Sequence, residues 1–171
     1  MIQAANTFPS LSYLHAAVYY PGECHPVVSA ILNSAADVRR VSNIHRLLTG
    51  TYITQAKKAK FNQYDTNPSC LLCDAPVENR EHILVICSAY KQEREEALTR
   101  IASHLLNVNL TNSQWTQLFL DCSTLVQQEI IPEDAIHDIY YHSRVMIAKI
   151  ARKRRRLMSV LPINSKDKKR V

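Results

Sequence analysis

Cys70-Leu71-Leu72-Cys73, then Asp74 through Glu81, then His82-Ile83-Leu84-Val85-Ile86-Cys87 reads as C-x2-C-x8-H-x4-C, four soft donors within eighteen residues. Three thiolates and one imidazole form the donor set of a closed, tetrahedral structural zinc site. The Cys70/Cys73 pair can grip one edge of Zn2+ from a tight turn, while His82 and Cys87 return from a second element. The intervening Pro76, Glu78, Asn79 and Arg80, with no long apolar run, suit a small CCHC zinc knuckle whose core is the metal itself. Other readings exist. A redox CxxC ends a strand in a βαβ unit, but Asn67-Pro68-Ser69 precedes this one and no such unit is visible. Isolated cysteines pack as small hydrophobes, and a lone histidine in an apolar run is usually a core residue. The spaced quartet is better explained by zinc. Asp74 stands where small knuckles prefer glycine, at a turn needing left-handed φ, which Asp tolerates better than most residues. On a regular helix the step from His82 to Cys87 rotates by ~140°, so Cys87 is expected at or past the end of the turn that presents His82.

Working outward, the pattern on both sides is helical. From Asp37, a plausible N-cap, Val38, Val41, Ile44, His45 and Leu48 fall on one face, and Gly50 is a plausible stop. A basic run, Gln55 to Lys60, leads to Phe61 and Tyr64. Downstream, residues 89–106 are rich in helix formers, with Ala97, Leu98, Ile101 and Leu105 as the apolar stripe. Thr111-Asn112-Ser113-Gln114 is a capping-box pattern. It opens a stripe of Trp115, Leu118, Phe119 and Cys122, which makes Cys122 an inert core thiol. Pro132-Glu133-Asp134 starts another helix, with Ile136, Ile139, Tyr140, Ile147 and Ile150 facing inward. The expected fold is mainly α, a small helical bundle with an embedded CCHC zinc knuckle. The expected organisation is an irregular lead-in (1–36), a basic helical segment (37–62), the knuckle (63–90), a helical region (91–150) and a basic tail (151–171). Cys24-His25 in the lead-in is a poor ligand pair, because ligands normally come in spaced pairs.

Composition narrows the functional classes. The chain has 171 residues, 46% of them hydrophobic, enough for a real core, and only two glycines, which disfavours Gly-rich phosphate loops. An odd count of five cysteines rules out a complete disulfide framework within the chain. Thiols kept as zinc ligands imply a reducing compartment, nucleus or cytoplasm. No basic-then-apolar leader and no run of ~20 apolar residues is present, so no membrane partner is expected. The net charge of +6 is unevenly spread: residues 149–171 carry +9 and 37–60 carry +5, whereas 61–148 carry −7. Basic blocks of this kind are the footprint of a polyanion, most often nucleic acid. The candidate phosphate contacts are Arg39, Arg40, Arg46, Lys57, Lys58 and Lys60 on one side, and Arg152, Lys153, Arg154, Arg155 and Arg156 on another. A solvated helix face competes evenly with this reading for the first block. In the second, basic residues also favour a helix C-terminus, but five in a row exceed what capping requires.

Leu47-Leu48-Thr49-Gly50-Thr51-Tyr52, Lys58-Ala59-Lys60-Phe61-Asn62-Gln63 and the Cys/His quartet with Glu81 before the histidine together resemble the zinc-binding region downstream of the reverse transcriptase in LINE-type (non-LTR) retrotransposons. Tyr20-Pro21-Gly22, His25-Pro26 and Leu120-Asp121-Cys122-Ser123 resemble its flanks, so the likeness spans roughly residues 11–160. It implies a module that helps a polymerase hold RNA or DNA, Zn2+ on Cys70, Cys73, His82 and Cys87, and an upstream reverse transcriptase region as partner. It implies no catalysis here: polymerase chemistry typically uses paired aspartates on a hairpin, and no Asp-Asp pair exists in this sequence. The chain is then expected to be a fragment of a longer polyprotein.

The sequence therefore leads to a non-catalytic, zinc- and nucleic-acid-binding module, with a protein-interaction scaffold as the alternative. Chelation or Cys73→Ser is expected to melt residues ~63–90 while the helices of 91–150 survive in part.

Overall fold

The computed structural model describes residues 11–14, 35–61, 66–105 and 109–161. It is mainly helical, with no strand among the described residues. The helices are α1 (Ala35–Leu48), α2 (Gln55–Phe61), α3 (Lys91–Ala102), α4 (Asn112–Leu120), α5 (Ser123–Gln127) and α6 (Ile136–Val160). A π-helical turn, His82–Ile86, and a 3₁₀ turn, Ser88–Tyr90, lead into α3. Cys24, His25 and the basic residues beyond 161 lie outside the described residues.

The 25 residues of α6 span about 38 Å at 1.5 Å per residue. This helix is the spine, and α1, α3 and α4 pack against it. Its inner face is Ile139, Tyr140, Met146, Ile147, Ile150 and Ala151, with Ser143 and Arg144 buried among them. One hydrophobic cluster joins Ile44 and Leu47 of α1, Ile83 and Leu84 of the π turn, Ile101 of α3, Leu118 and Phe119 of α4 and the α6 residues. No helix among the described residues is long and apolar enough to cross a membrane.

Local chemistry explains the element ends. Gly50, at φ 66°, takes the left-handed conformation that stops α1. Asp37 lies inside α1, whose described part begins at Ala35, and so does not cap it. It takes an inner position, where it feels the guanidinium of Arg144 and accepts from Arg40 Nη1 at 2.7 Å. One residue on, at ~100° of rotation, Val38 is turned outward and is 56% exposed, contrary to the inner position expected for it. The capping box at α4 forms: Gln114 N–H donates to Thr111 Oγ1 at 3.3 Å and Thr111 N–H to Gln114 Oε1 at 2.9 Å. This helix ends before Cys122. Asp121 is extended, and its Oδ1 accepts from the N–H and hydroxyl of Ser123 and from Tyr140. Cys122 is nonetheless fully buried, and burial pushes its thiol up to about 12.

Candidate metal centre

The CxxC segment is folded by its own backbone. Cys70 N–H donates to Ala75 O at 2.8 Å and Asp74 N–H to Cys70 O at 3.0 Å, closing a tight loop. Asp74 has φ 57°, the left-handed conformation expected at that position. Glu78 N–H then donates to Pro68 O at 2.8 Å, tying the two ends of the loop together.

The second pair of donors comes from the π turn. Asn79 Oδ1 accepts from His82 N–H at 2.8 Å and starts it. Cys87 N–H donates to His82 O at 2.7 Å, an i→i+5 bond. A π turn is wider than an α turn, so residues five apart come into near register along it. The ~140° offset of a regular helix is reduced, and His82 and Cys87 both reach Cys73.

The four side chains meet. Cys70 Sγ lies 3.9 Å from Cys87 Sγ, Cys73 Sγ lies 3.7 Å from Cys87 Sγ, and His82 Nε2 lies 3.3 Å from Cys73 Sγ. All four donor atoms fall within 4.8 Å of one another, a group that could hold a metal ion. The cysteines among the described residues are free thiols, three of them gathered here. Cys70, Cys87 and His82 are buried, and Cys73 is half-buried.

Electrostatics at the centre are uneven. Burial pushes the Cys87 thiol up to about 12 and raises Cys70 as well. Burial also opposes ionisation of Cys73, but hydrogen bonds from the Ala75 backbone and the neighbouring thiols outweigh it, leaving Cys73 below its ordinary value. Burial lowers the pKa of His82, keeping the imidazole neutral as a ligand must be.

Around the donors stands a charged layer that sequence reading did not find. Glu78 is fully buried. Its Oε1 accepts from Gln55 N–H at 3.0 Å and from Arg154 Nη2 at 2.6 Å, and Cys70 Sγ lies 3.7 Å from its Oε2. Arg94, buried on the inner face of α3, donates from Nη2 to Cys87 O at 2.5 Å. The hydroxyl of Tyr90 is buried beside them with no hydrogen-bond partner among the described residues. Arg94 shares its stripe with Ala97 and Ile101, and a charge on an apolar stripe was a visible cue. Glu78 had none.

The basic residues singled out from sequence differ in exposure and in pairing. Arg39, Arg46, Lys58 and Lys60 are exposed on α1 and α2, and Arg152, Arg155 and Arg156 on α6. Arg40 is held by Asp37. Lys57 donates to Gly50 O at 2.5 Å and lies over the Phe61 ring. Lys153 pairs with Glu93 at 2.9 Å. Arg154 points inward to Glu78, with its side chain 12% exposed.

No family model, no curated protein and no solved structure matches the chain.

Proposed function

We propose that Cys70, Cys73, His82 and Cys87 hold Zn2+ in a closed structural site, and that the chain is a non-catalytic, zinc-dependent nucleic-acid-binding module. The observation that carries the reading is the donor quartet within 4.8 Å. A tetrahedron built on Zn–S of about 2.3 Å and Zn–N of about 2.0 Å has S···S edges of about 3.8 Å and S···N edges of about 3.5 Å. The 3.7 and 3.9 Å sulfur separations and the 3.3 Å sulfur–nitrogen contact suit those edges. When bound, the ion would supply a structural cross-link and draw the thiols into their thiolate forms. The residues' own part is to balance charge: three thiolates, a divalent ion and a neutral imidazole sum to −1, Glu78 adds −1, and Arg94 with Arg154 restores neutrality. With four protein donors no position is left for a reacting water, so the site is not that of a hydrolase.

The nucleic-acid part of the reading rests on charge. The net +6 is concentrated in two blocks, and exposed cations of both remain at the surface. The likeness to a LINE-type zinc-binding region agrees with it and would make a polymerase region the natural partner, in the nucleus or cytoplasm. The test measures metal content of the purified chain, the thiolate charge-transfer band of its cobalt form, and binding to duplex DNA and single-stranded RNA across a salt series. Zinc at one per chain with salt-sensitive binding is expected. A chain without metal overturns the first half, and a flat salt response the second.

The second reading, a zinc scaffold that docks on protein, draws on Leu71, Val77 and Ile86, apolar side chains about half exposed beside the metal ligands. Binding to nucleic acid that is absent, with self-association or partner capture lost in Leu71→Asp, would favour it.

A further inference from the structure

The basic run at the end of α6 is divided by the fold. At i, i+3, i+4 and i+7, Lys149, Arg152, Lys153 and Arg156 share one face of the helix. With Glu93 from the first turn of α3 they line an open groove of about 260 Å³. That is below the ~300–1,000 Å³ of typical small-molecule sites, and the groove carries four cations and one carboxylate. Lys153 is held by Glu93 at 2.9 Å, and Lys149 reaches the exposed Glu96. No ion pair joins the guanidinium of Arg152 or Arg156 to any described residue. Like charges at i, i+3 and i+4 repel on a helix, a repulsion that an anion bound at this face would relieve. Arg154, within the same run, faces the core, and Arg155 stands outside the groove with its Nε directed to Ala151 O.

We propose that this groove is where the chain grips a phosphodiester backbone, with Arg152 and Arg156 as the guanidiniums that contact phosphate oxygens. The inference rests on the nucleic-acid reading above and deepens it: one face of the run binds, and the run does not act as a diffuse cloud of charge. Guanidinium groups match phosphate oxygens in pairs, which lysine cannot reproduce. Lys149 is the additional cation of the face, exchanging an exposed, weak carboxylate partner for phosphate. Glu93 keeps Lys153 in place on the groove floor.

The test compares Arg152→Gln, Arg156→Gln and Arg155→Gln in the full, metal-loaded chain, each removing one exposed charge. Binding to short duplex DNA is followed by fluorescence anisotropy across a salt series, with circular dichroism and metal content as folding controls. Arg152→Gln and Arg156→Gln are each expected to make the slope of log K against log salt shallower by about 0.9, a loss of roughly eight-fold at ~0.1 M salt. Arg155→Gln is expected to leave the slope unchanged. The R152K/R156K double variant should keep the native slope while binding more weakly. Equal losses in all three Gln variants would overturn the groove and leave the nucleic-acid reading standing. A native chain that binds neither DNA nor RNA, whether or not it binds phosphatidylserine vesicles, would overturn both.

Discussion

Arg154 Nη2 lies 2.6 Å from Glu78 Oε1, an ion pair between residues 76 apart in sequence, with the carboxylate fully buried. Burial alone would lower the pKa of Arg154, but Glu78 more than compensates and raises it. The same carboxylate approaches Cys70 and holds the N–H of Gln55 at the start of α2. One side chain thus ties the donor cluster, α2 and the end of α6 together.

Removing the cation from that pair should be costly. Arg154→Met leaves a buried carboxylate without its cation, expected to cost about 3–5 kcal/mol. Adding Glu78→Gln, which keeps an acceptor for Gln55, should recover part of the loss. Urea unfolding of both single variants and the double variant gives the coupling. A loss below ~1 kcal/mol for Arg154→Met would mean that the pair is solvated in solution.

Metal removal is expected to act on the whole chain. The sequence led to a knuckle cored by its ion and melting on its own, but Cys70, Ile83, Leu84 and Cys87 share one core with α1, α3, α4 and α6. Chelation should therefore lower a single cooperative melting transition and speed hydrogen exchange in α3 and α6 as well as in residues 66–90. Exchange confined to residues 66–90 would restore the picture of a local knuckle.

Thiol reactivity should follow the order of burial and pKa. In the metal-free chain Cys73, half-buried and shifted down, should be alkylated first; Cys70 and Cys87 follow, and Cys122 waits for unfolding. For Cys122 the folded pKa of about 12 exceeds the ordinary 9.0, so the unfolded chain loses its proton first as pH rises. The stability present below pH 9 is then lost between about 9 and 12. Rapid labelling of Cys122 in the native chain would contradict this order.

Acid should release the metal, since thiolates and imidazole must shed their protons to bind. The lowered pKa of His82 keeps it neutral down to below its ordinary 6.5, so its contribution is present above that pH and lost as pH falls through the lower folded value. Metal release followed by a chromogenic chelator should increase as pH falls, as protons compete for the thiolates and the imidazole. Release already complete at neutral pH would show that the four donors do not act as one site.

The left-handed Asp74 gives a backbone test of the CxxC loop. Asp74→Ala should cost about 1 kcal/mol, because a Cβ without a hydrogen-bonding side chain is disfavoured at φ 57°. Asp74→Gly should be neutral or slightly stabilising. Stability of the metal-loaded chain in urea reads both, and an Ala variant as stable as the Gly variant would show that the loop relaxes.

Much of the molecule was legible from local pattern. Gly50 ends α1, Thr111 and Gln114 form the capping box, Asp74 is left-handed, and the long helix from Ile136 carries its expected inner isoleucines. Each depends on neighbours within one turn, where backbone sterics and hydrogen bonding decide. The misread positions depend on distant partners. Val38 is turned out because Asp37 faces Arg144 of α6, and Asp121, where α4 stops before Cys122, accepts from Tyr140 of α6.

The sequence by itself determined a helical chain with four soft donors spaced for one small ion and two blocks of positive charge, because periodicity and ligand spacing are written in consecutive residues. Only the tertiary structure decided that a π turn aligns His82 with Cys87, that Glu78 and Arg94 flank the thiols, and that Arg154 turns inward while Arg152 and Arg156 face a groove. Those outcomes follow from burial and pairing across tens of residues, where a charge goes inside only if another element brings its counter-charge to meet it.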